Sequence, residues 1–423
     1  MSVDGAITLL AALILVNYWI SRSVLYPPLL FCGMWLLDLS LYRLDLTPID
    51  TLHSNTVGII GAGAVLFSMG GGLAMLAPQN LLQARLIITR FPPRNKIVKP
   101  AVMFFLFCGL PLLLSNLLAM AAQGTGNTIF QRARTGGAAA GQLSGASPIG
   151  TYFILWALYA APLFLLERRD RNFWMMAGIA FIASILSTGR LPLLMLISSL
   201  TCVQLMISNR HTFRAAFKFA RIPIFIFLCL YFGLIFVTKD TSVFNAGIGE
   251  ILLMFLVGYI VGPTAALDYV LQHRQDYYAG ASNHTFKFFL GIFAHLGLVA
   301  YQPPPQDDFL FVPFPTNVLT VYRYYIADFG LYGALTVMAV IGSLQTLVYR
   351  KARSGSKLAI YFFAITLFET LMVIFSDEYA SFGAYIDSLA FAVIYIVLRS
   401  LPMRILPKLA SGYGIRGQGD LTV

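Results

Sequence analysis

Runs of roughly 18 or more apolar residues recur along this chain, each long enough to cross about 30 Å of hydrocarbon at about 1.5 Å per residue. In lipid, a helix satisfies its own backbone N–H and C=O groups, so repeated runs of this kind dictate a helical bundle. The alternating pattern of a membrane barrel is absent. Apolar residues make up 58% of the 423 and charged ones 11%, with mean hydropathy +0.76. The expected fold class is therefore an all-α polytopic integral membrane protein, with residues 1–423 as a single membrane domain.

The net charge of +11 does not point to nucleic acid, because the cations fall in short loops that alternate with the spans. All four cysteines (Cys32, Cys108, Cys202, Cys229) lie in apolar runs without paired spacing. They read as small buried hydrophobes and not as a disulfide frame. No HExxH, Walker loop, dinucleotide fingerprint or Cys/His metal spacing is present, so no cofactor or metal site is expected. Asp4 near the start and the lack of a basic n-region make the first apolar run a retained span.

In chain order the expected spans are 5–20, 24–42, 56–77, 100–122 and 148–166. A doubled run over 172–208 follows, turning as a hairpin at Gly189. Span eight is 222–237, and three more cover 329–349, 358–375 and 384–398, for about 11 transmembrane helices. Residues 123–147 read as a small-residue loop. Residues 239–327 form a large external loop, whose apolar pieces 251–270 and 286–300 either lie on the outer leaflet, the favoured choice, or make a short pair of crossings. Basic groups near Arg94, Arg168, Arg214, Lys351 and Arg399 mark one face as cytoplasmic. This alternation puts the N-terminus outside and the C-terminus inside, with 411–423 as a flexible cytoplasmic tail.

Polar residues concentrate in Pro313–Gly333, reading PFPTNVLTVYRYYIADFGLYG at the mouth of an apolar run. Prolines followed by Thr316 and Asn317 suit a turn into a helix. A helix from Val318 onward would set Tyr322, Tyr325 and Phe329 on one face and Asn317, Tyr324 and Asp328 on another, with Arg323 between them. Polar groups on the lip of a span are expensive and are usually functional.

Sorting cations by side leaves Arg43, Arg132, Arg134, Arg190, Lys239, Arg274, Lys287 and Arg323 outside. Arg190 and Arg323 sit at the outer ends of spans. Snorkelling to headgroups is one explanation; the sharper one is an anion, since a guanidinium fork matches phosphate bidentately. Tyr322, Tyr324 and Tyr325 fit an aromatic belt, or could stack on a sugar ring. Asp328 suits orienting Arg323 or capping a cavity. His284, His295 and, more weakly, His53 are alternative bases. Glu369 and Asp387 are costly within spans, and Asp307-Asp308 and Asp377-Glu378 are weak acidic pairs for a divalent ion.

The block PTNVLTVYRYYIADFGLYG resembles the signature of the bacterial O-antigen polymerase family, the repeat-unit polymerases of surface polysaccharides. Asn317, Thr320, Arg323, Tyr324, Tyr325, Asp328, Phe329, Gly330 and Gly333 carry the likeness. STGRLPLLMLISSL with Arg190 looks like the family's second arginine turn, and Ser282–Leu290, with His284, resembles a weaker third tract. The resemblance implies a GT-C-like fold in the bacterial inner membrane with a large periplasmic loop. It implies a glycosyltransferase that joins oligosaccharide units carried on undecaprenyl pyrophosphate at the periplasmic face. Arg190 and Arg323 would stabilise the pyrophosphate leaving group, helped by Arg132, Arg134 or Arg274, while Asp328 or His284 takes the acceptor proton. Asn317, Tyr324 and Tyr325 would contact the sugars. Expected partners are the lipid-linked oligosaccharide, the bilayer and possible binding of a chain-length regulator.

Two other functions fit parts of this pattern. An O-antigen ligase would share the charge logic and need a loop histidine, a role His284 could fill. A polysaccharide or lipid transporter would show internal repeats and mid-membrane charges; no repeat is visible, and the polar groups crowd one surface.

Overall fold

Several of the helices open on a side chain that caps their first backbone N–H groups. Ser2 accepts from Gly5 N at 3.1 Å to start α1 (Val3–Ser21), and Asp170 accepts from Phe173 N at 3.0 Å to start α7 (Arg171–Leu186). Ser356 begins α13 (Lys357–Met372) in the same way. Pro27 and Pro28 occupy the first turn of α2 (Pro27–Arg43), where a missing N–H costs nothing. The computed structural model describes residues 1–46, 49–78, 95–139, 148–187, 191–238, 247–273, 284–300, 310–312 and 315–401.

The remaining helices are α3 (Ser54–Leu76), α4 (Val98–Gln123), α5 (Ile129–Ala139), α6 (Pro148–Glu167), α8 (Leu191–Ile207), α9 (Phe213–Thr238), α10 (Ile248–His273), α11 (Lys287–His295), α12 (Tyr322–Arg353) and α14 (Phe382–Ser400). A two-stranded antiparallel ribbon, β1 (Leu310–Phe311) with β2 (Pro315–Thr316), precedes α12. Among the described residues six helices, α1, α3, α4, α6, α12 and α14, are long and apolar enough to cross a membrane, and α7 and α8 are shorter apolar helices. The protein is an all-α membrane protein. The doubled apolar run is divided between α7 and α8, and the turn expected at Gly189 lies outside the described residues.

α3 and α12 form the central seam, and glycine makes it possible. A Cβ at Gly70 would stand 2.0 Å from the Ala339 carbonyl oxygen, and one at Gly342 would stand 2.2 Å from that of Phe67. Only backbones without side chains at these points can approach so closely, which is how helices gain dispersion contact in lipid. The two helices run parallel. Tyr322 donates to Ile60 O at 3.4 Å at one end, and Arg350 donates to Ala74 O at the other. α1 follows the same direction, with Asn17 Nδ2 bonding Ser68 Oγ at 3.0 Å and Arg353 donating to Ser21 O at 3.0 Å.

The helix ends sort by charge. At one end Glu167 of α6 accepts from Arg399 Nε at 2.9 Å, Arg399 Nη2 at 3.0 Å and Tyr395 at 2.8 Å, with Lys99 Nζ 3.2 Å away. This buried cluster pins α4, α6 and α14 together. It belongs to a core that also holds Tyr349 and Ala352 from the C-terminal end of α12. A second core, around Leu10, Trp35, Val57 and Phe67, encloses Tyr322 and Tyr325 at the opposite end of α12.

Several expectations need correction. Part of the small-residue tract 123–147 is helical: α5 lays Ala133 against Leu117, Met120 and Ala121 of α4. α12 starts at Tyr322, not Val318, and is broken at Gly330. There φ is +68°, a left-handed conformation that favours glycine. Tyr322 and Tyr325 are core residues, packed away from any belt position, and Phe329, expected on their face, is exposed. Cys108 and Cys229 are exposed, while Cys32 and Cys202 are buried; all four are free.

Candidate functional site

The turn entering α12 is fixed from two sides. Val321 N donates to Val373 O at 2.9 Å, tying the turn to the end of α13, and Arg323 N closes on Thr320 O at 3.1 Å. The first helical turn then carries Arg323 inward, only 6% exposed. Its guanidinium carbon lies 5.6 Å from the centroid of the Tyr324 ring, a cation–π distance. On Tyr324 lies the imidazole of His284, at 4.4 Å and 24° between planes. Arginine and histidine thus both stand against the Tyr324 ring.

Asp328, one turn further along, holds the tract that carries His284. Its Oδ1 accepts the His284 backbone N–H at 3.2 Å, and its Oδ2 accepts that of Thr285 at 2.7 Å. Phe286 meets Phe329 edge-on at 6.2 Å beside this tie. The described parts of the two stretches singled out in the sequence, 282–290 and 313–333, are therefore tied together.

Tyr325 points elsewhere. Its hydroxyl donates to Asp377 Oδ1 at 2.9 Å, and that oxygen also accepts Tyr379 N at 3.1 Å. Burial pushes the Asp377 carboxyl up to about 7, assisted by Glu378 and opposed by the Tyr325 hydrogen bond. Glu378 bonds Ser376 at 2.8 Å, so the two acids turn to different partners. Glu369 accepts from the Tyr385 hydroxyl.

The other expected site residues are placed as follows. Asn317 is half-buried between β2 and α12, Arg132 is exposed on α5, and Arg134 lies on the same helix, which packs on α4 and α9. Arg190, Arg274 and the Asp307-Asp308 pair lie outside the described residues.

A second polar group forms around His53, the weakest of the expected bases, with partners that no sequence signal pointed to. His53 Nδ1 is 3.0 Å from Asp268 Oδ2, and Asp268 Oδ1 accepts both His53 N at 3.1 Å and the Thr56 hydroxyl. One turn back on α10, Thr264 donates to the fully buried Asp38 of α2 at 2.9 Å. Next to this group an open cleft of about 630 Å³ runs between α3, the end of α10 and the break in α12. Ser54, Asn55, Leu271, Gln272, Ile326 and Gly330 are among its walls.

Comparison with known proteins finds no matching family model, no matching characterised protein and no matching solved structure.

Proposed function

We propose that this protein is a lipid-linked oligosaccharide repeat-unit polymerase. It would join units carried on undecaprenyl pyrophosphate into an O-antigen or capsule-type polymer at the periplasmic face of a bacterial inner membrane. The proposal includes a GT-C-like arrangement of about 11 spans, with the N-terminus periplasmic and the C-terminus cytoplasmic. One observation supports it: the buried Arg323 beside the Tyr324 ring on which His284 stacks, with Asp328 clamping the two motif tracts into one unit.

A guanidinium held at a helix end in a low-dielectric setting is preorganised for charge that develops on a diphosphate leaving group. Arg190, and Arg132, Arg134 or Arg274, would complete the anion grip. Tyr324 and Asn317 would contact the sugars. Tyr325 has its hydroxyl bonded to Asp377. Both Asp328 oxygens accept backbone N–H groups, which favours a positioning role over that of a base.

The test is polymer formation in cells. Arg323→Ala and Arg190→Ala should abolish polymer with normal protein in the membrane, and lysine should restore it only in part, because it lacks the bidentate fork.

A ligase reading is kept by one observation, the position of His284 in the stack. Null strains separate the two. Loss of a polymerase leaves single repeat units on the lipid A core, whereas loss of a ligase leaves long chains on the carrier.

A further inference from the structure

His53 is held by two contacts with Asp268, one from its backbone N–H and one at its ring, and the ring contact sets which nitrogen carries hydrogen. An ionised carboxylate only accepts hydrogen bonds, so the 3.0 Å contact requires hydrogen on His53 Nδ1. The lone pair of the neutral ring is then on Nε2. The His53 side chain is 56% exposed, whereas that of Asp268 is 11% exposed. A buried acid thus orients an accessible imidazole, the relation that prepares a histidine to accept a proton.

The pair stands beside the cleft already described. Ser54 and Asn55, which follow His53 directly, form one wall, and Leu271 and Gln272, one turn past Asp268, form a second. The third wall includes Ile326, which follows Arg323 by one helical turn. The cleft is thus bordered by the sequence neighbours of His53 and Asp268 and, across from them, by Ile326 from the first turns of α12. The ring of His284 lies flat on Tyr324, and its backbone N–H bonds Asp328.

We infer that His53, oriented by Asp268, is the proton acceptor for the incoming sugar hydroxyl. This rests on the polymerase proposal and identifies its base. The acceptor hydroxyl gives its proton to His53 Nε2, and its oxygen forms the new bond to the donor's anomeric carbon. The bond from that carbon to the pyrophosphate oxygen breaks, and its electron pair leaves with the lipid pyrophosphate. The proton then passes from the imidazole to water. Asp268 is a positioning residue in this scheme.

Two measurements on the full-length protein test it. The first is the tautomer of His53, read from ¹⁵N shifts of histidine-labelled protein in lipid nanodiscs, with His53→Asn identifying the signal. Hydrogen on Nδ1 is expected, and loss of that preference in Asp268→Leu; hydrogen on Nε2 in the native protein overturns the inference. The second is polymer made in cells by His53→Asn, whose amide still donates to Asp268 but cannot act as the base. Polymer should fall by about 100-fold or more, at unchanged protein level and melting temperature. If Arg323→Ala abolishes polymer while His53→Asn makes it in full, the base assignment alone is wrong. If Arg323→Ala also makes normal polymer, the polymerase proposal falls, and this step falls with it.

Discussion

Asp328 Oδ2 lies 2.7 Å from the backbone nitrogen of Thr285, a contact that joins positions 43 residues apart. With the 3.2 Å bond from His284 N, it makes one carboxylate the anchor of α11's approach to α12. Hydrogen bonds to an ionised group contribute about 1.5–3 kcal/mol each. Asp328→Ala should release the 284–286 turn, so amide exchange at His284 and Thr285 rises to the level of open loops. Asp328→Asn, which retains one acceptor oxygen, should leave partial protection. Equal protection in native protein and Asp328→Ala would remove the anchor role.

The α3–α12 seam is set by glycine. Gly70→Ala or Gly342→Ala would drive a methyl group into a backbone carbonyl on the opposite helix. Overpacking of this kind costs about 1–3 kcal/mol. Melting in detergent should fall for both variants. Gly72→Ala, where an added Cβ meets nothing within 4 Å, should leave it unchanged or slightly raised.

Glu167 is the hub of the opposite end. Removing one member of a buried ion pair costs about 3–5 kcal/mol, because the partner charge stays buried. Arg399→Ala should therefore lower thermal stability more than Arg43→Ala, whose pair with Asp4 is exposed. Equal losses would show that the buried cluster contributes no more than a surface contact.

Asp377 gives the protein a pH dependence of defined sign. Burial raises its folded-state carboxyl to about 7, above the ordinary carboxylate value that applies when unfolded. Between those values the folded state holds more protons than the unfolded one. Stability from this group is therefore fully present in acid and is lost as pH rises toward 7. Asp377→Asn should flatten that part of the profile of melting temperature against pH, while the native protein declines across it.

Much of the helical layout was legible from hydropathy, because each apolar run must be a helix in lipid. The expected 148–166 and the observed Pro148–Glu167 agree, and the doubled run is divided between α7 and α8. α5 was not legible: its tract is rich in Gly, Ala and Thr, and its helix depends on packing Ala133 onto α4. The break at Gly330 was hidden because a glycine before an apolar run reads equally well as part of a helix. The candidate site was half legible. Local sequence brought out Arg323, Tyr324 and Asp328, yet nothing local links His53 to Asp268, 215 positions away. Composition alone likewise suggested that Tyr325 faces lipid or sugar, where tertiary packing gives it to Asp377.

The central claim, that Arg323 serves transfer of lipid-linked repeat units, is tested most directly by the products in a null strain complemented with Arg323→Ala. With native amounts of the variant in the membrane, single repeat units on the lipid A core and no longer chains are expected. Long chains in normal amounts would contradict the account, and long chains stranded on the carrier would transfer it to a ligase.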